Sequence, residues 1–420
     1  MKRWIVAATA SLGLALAVPL QALAQAQAQA APLAIDLPAT EQALAAIEQD
    51  PTVVQAQRAV QVALHTAALR AAGPYEWTVG ATGQRRRIDG SGSTTEWSAQ
   101  VERPIRIGGK AALDRDIGQA GLRQAHAELD AARQLAARAL ADQWLDWLAA
   151  GQSRARLQEQ VVFAEANLKA VQTRRKAGDA SLLEVGVAQG DVTDAQRQAS
   201  LAAAAEARAQ VALRVRYPQL PQVATALSEP LALVQTEAQW RERILALSGP
   251  VRAAQEALRK AELMGARARA DRMPDPTIGV FTASEAFRSE RVVGLSLSIP
   301  LGGTYRAQVA LEAERQAGLA RAGVDRETRE VELAVATQVA EAAGSLERWR
   351  LAEQALVAAR NAARLTQRAY TLGEADLQTL LLVRRQSLEV VNSAGSARAD
   401  ALRARYRLLI DAGLVWADGR

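Results

Sequence analysis

His65 and His126 are the only imidazoles in this sequence, and they fall in different elements, with carboxylates near them only by helical repeat. Two ring nitrogens without further ligands do not make a metal centre, which needs three or four protein donors. No cysteine is present, so thiolate metal sites, disulfides and the acyl anchor of a lipoprotein are excluded. Gly108-Gly109-Lys110 lacks the G-x-x-x-x-G-K-[ST] frame that cradles phosphate. Ser153, Ser181 and Ser387 have no partner base that the sequence can name. The chain therefore reads as no enzyme, with no metal and no cofactor. Its notable acids, Asp179, Glu374 and Asp376, stand instead close behind Gly178 and Gly373. Acids there fit the start of a helix, where a short side chain accepts from a free backbone N–H.

Two very long helices must position those glycines. Proline, which breaks a helix interior, is missing between Pro104 and Pro218 and again after Pro300. Before each clean tract the prolines keep a matched rhythm, Pro51, Pro74, Pro104 and then Pro250, Pro274, Pro300. Aromatics make up only 4% of residues while Ala and Leu abound, a composition suited to helices packed side by side. Apolar residues at three- and four-residue steps run from Gly109 to Gly178 and from Gly303 to Gly373, each tract long enough for a helix of roughly 100 Å. Gly178 can close the first, and Ser181-Leu182-Leu183-Glu184 is a capping box that opens the next. Gly373 and Asp376 repeat that arrangement, and the returning helices run to about Tyr217 and Ile410. Trp144 and Trp147 share one helical face and read as packing.

The chain is a duplicated unit. Trp77-Thr78-Val79-Gly80 falls on Pro276-Thr277-Ile278-Gly279, Arg103-Pro104 on Ile299-Pro300, and Ala177-Gly178-Asp179-Ala180 on Leu372-Gly373-Glu374-Ala375. One repeat covers 41–217 with a hairpin at 75–104, and the other covers 250–414 with a hairpin at 276–300; residues 218–249 connect them. Each reads helix, strand, strand, very long helix, helix. The first helices are expected over Thr52–Ala72 and Val251–Asp271. In the strands Trp77, Val79 and Ala81, then Trp97, Ala99 and Val101, then Val293, Leu295, Leu297 and Ile299 alternate with small or polar residues. Gln84–Ser93 and Ser284–Glu290 read as polar turns, the first carrying Arg85, Arg86 and Arg87 in solvent. Trp77 and Trp97 begin their strands, where they serve either an aromatic interfacial belt or packing.

Lys2 and Arg3, the apolar run from Trp4 to Leu23 and Ala22-Leu23-Ala24 form a cleavable signal peptide over 1–24, and 25–40 follows as a flexible segment. The net charge of +6 is spread as interleaved Arg and Asp/Glu, a solvated-helix pattern, and nucleic acid is not an expected partner. Strands with one apolar and one polar face suit either a membrane barrel wall or a soluble hairpin on a core. Four strands cannot close a barrel in lipid, so a barrel requires association between copies. The fold class is thus mainly α with a small β part, a duplicated helix-strand-strand-helix-helix unit forming a long antiparallel bundle.

Four segments, in this order and in duplicate, resemble the TolC-like outer-membrane efflux protein family: Arg103-Pro104-Ile105-Arg106-Ile107-Gly108-Gly109-Lys110, Ser298-Ile299-Pro300-Leu301-Gly302-Gly303, Arg175-Lys176-Ala177-Gly178-Asp179-Ala180-Ser181 and Tyr370-Thr371-Leu372-Gly373-Glu374-Ala375-Asp376. The resemblance spans about Ile35 to Leu414. The P-I-x-I-G-G-K strand exit is similar to outer-membrane components of cobalt–zinc–cadmium cation efflux systems. What the resemblance implies is a homotrimer with a twelve-stranded barrel in outer-membrane lipid and a periplasmic helical tunnel. Such a trimer would be a passive duct for solutes, heavy-metal cations in particular. It would work with a periplasmic adaptor (membrane fusion) protein and an inner-membrane pump of the resistance-nodulation-division type. Drug efflux and type I secretion are alternatives within this class, and a soluble periplasmic coiled-coil scaffold is the alternative outside it.

The family's periplasmic entrance, where the adaptor docks, maps onto the helical turns. Gly178 and Gly373 match its turn glycines, Tyr370 matches a tyrosine that helps hold the entrance closed, and Glu184 lies near a position often occupied by Asp. Where relatives ring the pore with acids, this chain has Thr379 and Leu382. Asp179, Glu374 and Asp376 then either replace that charge or only cap their helices.

Overall fold

The computed structural model describes residues 35–416 apart from 91, 222 and 286–288; the expected signal peptide lies outside them. Among the described residues the helices are α1 (Thr40–Glu48), α2 (Pro51–Ala72), α3 (Lys110–Ala177), α4 (Leu182–Arg216), α5 (Glu237–Leu247), α6 (Gly249–Ala270), α7 (Thr304–Leu372) and α8 (Leu377–Asp411). The strands are β1 (Thr78–Ile88), β2 (Gly92–Pro104), β3 (Thr277–Glu285) and β4 (Glu290–Ser298). The expected class, mainly helical with a small antiparallel sheet, is what the chain adopts. The proline-free tracts become the unbroken helices α3 and α7, of 68 and 69 residues.

Two compact units form, and they cut across the sequence repeats. Of the described residues, one holds those up to Asp50 with Gln134–Leu247 and those from Ala334 onward, and the other holds Pro51–Arg133 and Ser248–Leu333.

In the first unit an alanine-rich seam joins Leu157, Val161 and Ala164 of α3 to Val192, Ala195, Ala199 and Ala202 of α4. Trp144 and Trp147 are buried edge-to-face with ring centroids 5.1 Å apart. The segment expected to be flexible, 25–40, is anchored at its described end. Buried Asp36 accepts from Ser228 N (2.6 Å), Ser228 Oγ (2.6 Å) and Tyr406 Oη (2.7 Å), while its carbonyl accepts from Trp144 Nε1 at 2.8 Å. A buried carboxylate with three donors fixes the backbone around it, an arrangement that local composition does not announce. The short helices α1 and α5 were not foreseen either. They bury only Ala43, Ala46 and Ile47, and Trp240 and Ile244, so tertiary packing rather than a long periodic pattern decides them.

In the second unit, helix approach is set by glycine. A Cβ on Gly118 would lie 2.8 Å from Ala67 Cα, and one on Gly249 would lie 2.6 Å from Ala131 N. The sheet order is β1-β2-β3-β4, all antiparallel, so β2 of one repeat pairs β3 of the other. Val79 pairs Val101, Val101 pairs Val280 and Val280 pairs Leu295, which puts the apolar parity of all four strands on one face.

Both hairpins are longer than their sequence suggests. The expected turn Gln84–Ser93 is mostly strand, since β1 runs to Ile88 and β2 starts at Gly92. Arg85, Arg86 and Arg87 therefore sit in the ladder; Arg85 donates to Ser93 Oγ at 3.1 Å and Arg86 pairs with Glu96 at 3.2 Å. Cross-strand polar partners hold these rows together, and a stretch polar on both faces shows no alternation to read. Trp97 consequently lies inside β2 instead of at its start. The second expected turn, Ser284–Glu290, likewise narrows, with β3 reaching Glu285 and β4 beginning at Glu290.

Candidate functional site

At the ends of α3 and α7 the chain turns twice in the same way. The Gly178 and Asp179 amides donate to the carbonyls of Arg175 (3.1 Å) and Arg174 (2.9 Å), and those of Gly373 and Glu374 to Tyr370 (3.1 Å) and Ala369 (2.8 Å). This is the Schellman pattern, which needs a left-handed residue after the helix. Gly178 (φ +89°) and Gly373 (φ +77°) supply it. Behind the turns Val171, Ala180, Ala188, Leu377 and Leu380 form a small core with Tyr370 packed against it. Arg174 joins the two long helices there, donating from Nη1 to Tyr370 Oη at 3.0 Å with its guanidinium 5.6 Å from the ring centroid.

Two of the four acids at the turns are spent on capping. Ser181 N donates to Glu184 Oε2 at 2.6 Å and Glu184 N to Ser181 Oγ at 3.1 Å, a complete capping box. Thr379 N donates to Asp376 Oδ1 at 2.6 Å. The backbone donors hold both carboxyls below the usual carboxylate range, that of Ser181 for Glu184 and that of Thr379 for Asp376. Asp179 and Glu374 are exposed, and the Asp179 carbonyl accepts from Arg174 Nη2 at 3.0 Å. Arg174, Arg175 and Lys176 fill the last turn of α3. Thr379 and Leu382 are exposed, as are Leu182, Leu183 and Leu372. The turns thus present exposed leucines together with acids and basic groups side by side.

A second charged cluster, in the sheet-bearing unit, has no counterpart in the sequence reading. Gly108 (φ +68°) and Gly109 (φ +73°) swing the chain from β2 into α3 and bring in Lys110, which is only 1% exposed. Lys110 Nζ donates to Met273 O (2.6 Å) and Asp275 Oδ1 (2.8 Å), with Asp271 Oδ1 at 3.3 Å. Asp275 also accepts from Ile107 N (3.1 Å) and Tyr75 Oη (2.8 Å). Burial alone would raise the Asp275 carboxyl, but these donors outweigh it and hold it below its ordinary value. Burial and Asp275 together push the Tyr75 hydroxyl up to about 12. Arginines close the neighbouring helix ends, where carbonyls lack partners: Arg106 donates to Arg70 O (3.2 Å) and Ala71 O (2.9 Å), and Arg306 to Asp271 O (2.7 Å). Gly-Gly-Lys was the available signal, but sequence spacing gave no sign that the lysine's partners lie some 160 residues away.

The sheet has two dissimilar faces. Val79, Val101, Ile278, Val280, Val293, Leu295 and Leu297 stand on one, each between 40% and 81% exposed. Exposed tryptophans bound this band: Trp77, stacked under the Arg103 guanidinium at 5.3 Å, and Trp97, opposite Gly83. Six residues of strand separate those rows, roughly 20 Å. Packing against the bundle does not hide either ring. The other face carries threonine, serine, glutamine and glutamate, interrupted by Phe281 over Gly294 and by Val292. Among the described residues no three His, Cys, Asp or Glu side chains group closely enough to hold a metal, and no helix is long and apolar enough to cross a membrane.

Residues 43–215 match the family model described as outer membrane efflux protein. Solved structures share the fold across most of the chain. CusC, described for the conformational changes accompanying folding and transmembrane channel formation, is 15% identical over 89% of this chain and 91% of its own, with a TM-score of 0.71. The outer membrane protein VceC of Vibrio cholerae is 16% identical over 89% and 96%, also at 0.71. The CmeC outer membrane channel of Campylobacter jejuni is 13% identical over 90% and 86%, at 0.69. No curated protein sequence matches the chain.

Proposed function

We propose, from the match of residues 43–215 to the outer membrane efflux protein model and the shared fold, that this chain is the outer-membrane exit duct of a tripartite efflux system. One observation carries the reading furthest: a four-stranded sheet with an exposed apolar face and, among the described residues, two unpaired edges, in a chain that also forms very long helices. In lipid such edges must close, and copies of the same chain supply the missing strands; three copies make twelve. The apolar face then meets lipid, the tryptophans sit at its two borders, and the polar face lines a water-filled lumen. The helical turns are the periplasmic end, where the adaptor docks and the Arg174–Tyr370 contact holds long helices together. The duct conducts passively, and an inner-membrane pump provides the energy. The similarity of the P-I-x-I-G-G-K strand exit favours heavy-metal cations as the cargo over drugs or secreted proteins.

Carbonate extraction tests the duct against the scaffold alternative: the duct stays in the outer-membrane pellet, and release into the wash would sink it. A deletion strain challenged with cobalt, zinc and cadmium, and in parallel with hydrophobic drugs, tests the cargo. Sensitivity to the cations is the expected result, and sensitivity to drugs alone discards the metal assignment while keeping the duct.

The turn has its own test. Gly373→Val places a β-branched residue at φ +77°, at a cost of about 1–3 kcal/mol. Such a variant should reach the membrane yet lose cross-linking to its adaptor and restore growth on cations poorly. Full export by this variant removes the role given to the turn.

A further inference from the structure

The sheet's polar face and the helical turns carry four carboxylates each, but the face sets one basic residue against them and the last turn of α3 sets three. Register places the carboxylates. Trp97 pairs Ser284, Ser284 pairs Arg291 and Glu285 pairs Glu290. Glu96, paired with Gln84, is one step beyond Trp97 in the direction of Glu285. Glu96, Glu285 and Glu290 therefore follow one another across three adjacent strands near the hairpin turns, with strands about 4.8 Å apart. Like charges opposite each other destabilise a sheet, a cost that Arg86 lowers at Glu96 and that no basic residue of the four strands lowers on the same face at Glu285 and Glu290.

Two further observations sharpen this. Glu96 is 2% exposed; its Oε2 accepts from Gln84 Nε2 at 2.8 Å and pairs with Arg86 at 3.2 Å, while its Oε1 has no partner among the described residues. The hairpins' charges are also sorted by alternation. Arg85, Arg87, Arg103 and Arg291 share the parity of the apolar band, leaving Arg86 as the one basic residue in the four strands on the face of Glu96, Glu102, Glu285 and Glu290. At the helical turns capping leaves Glu184 and Asp376 ionised. The four acids there, Asp179, Glu184, Glu374 and Asp376, are offset by Arg174, Arg175 and Lys176 in the last turn of α3.

We propose that the duct's preference for cations is set by the Glu96–Glu285–Glu290 row at the hairpin end of the lumen, and not at the helical turns. This rests on the duct reading, in which the polar face lines the lumen. The mechanism is a field rather than ligation, since no three such side chains among the described residues group closely enough to chelate a metal. A ring of carboxylates in a pore raises the local concentration of cations and lowers that of anions. Repeated around a closed barrel, the row forms such a ring at the mouth.

The test is planar-bilayer recording of the purified full-length protein under a potassium chloride gradient. Wild-type channels should pass potassium over chloride, and the charge-neutral variant Glu96→Gln/Glu285→Gln/Glu290→Gln should lower that permeability ratio by about threefold or more. An unchanged ratio, or a wild-type pore that prefers chloride, overturns the proposal while leaving the duct intact. Absence of any channel from well-folded wild-type protein overturns the duct reading, and the proposal falls with it. Should the triple variant fail to fold, the wild type still decides: hexamminecobalt(III) added on the hairpin side should block at lower concentration than on the helical side, and equal or reversed potency overturns the assignment.

Discussion

Lys110→Met costs the sheet-bearing unit about 3 kcal/mol, toward the lower end of the ~3–5 kcal/mol range for breaking a buried ion pair. The lower end applies because Asp275 keeps two donors, Ile107 N and Tyr75 Oη, after the ammonium is gone. The loss appears as a lower thermal midpoint of the detergent-solubilised protein followed by circular dichroism. Asp275→Leu on top of Lys110→Met restores part of it, since no uncompensated carboxylate then remains. The same cluster sets an acid limit. The folded Asp275 carboxyl titrates below its unfolded value, so its contribution is complete above about pH 4 and disappears as pH falls through the depressed folded value. Without Lys110 the Asp275 carboxyl is held down less, and acid destabilisation begins at a higher pH. Parallel acid profiles for wild type and Lys110→Met would show that the lysine does not hold this carboxylate.

Gly118→Ala and Gly121→Ala, three residues apart on α3, should move stability in opposite directions. A methyl at 118 meets the Ala67 Cα at 2.8 Å, a backbone atom that cannot rotate away. Overpacking of this kind costs about 1–3 kcal/mol, more than the ~0.5–1 kcal/mol that alanine gains over glycine within a helix. A methyl at 121 meets only the flexible end of Lys260, at 3.9 Å, so the helix-propensity gain survives. Thermal midpoints of the two variants, read against wild type, check the pair. A stabilised Gly118→Ala would mean that the α2–α3 approach is looser than its geometry implies.

These two sites show what the sequence could and could not disclose. Helix extent was legible because one local rule governs it: proline-free tracts ending in Gly178 and Gly373 became α3 and α7, and Ser181–Glu184 capped α4 as its spacing required. Strand faces were legible from alternation, yet hairpin length was not. Arg85 to Arg87 look like a turn until Ser93 and Glu96 are found opposite them. The Lys110–Asp275 and Asp36–Tyr406 contacts join residues 165 and 370 positions apart. Neither leaves a local trace, because a buried charge is defined by what the fold brings to it. At the turns the caps made by Glu184 and Asp376 were legible from spacing; that Asp179 and Glu374 stand exposed was not, because it depends on side-chain direction.

The free edges and apolar face of the sheet also impose a timetable. A single copy carries seven aliphatic side chains, 40% to 81% exposed on one face, and two edge strands in its sheet. Water tolerates neither for long, and both invite pairing with the wrong chain. In the proposed duct, closure by other copies is a collision between molecules, so its rate rises with their number, as does the rate of aggregation. The wall is thus the part of the chain most prone to mispairing before it closes.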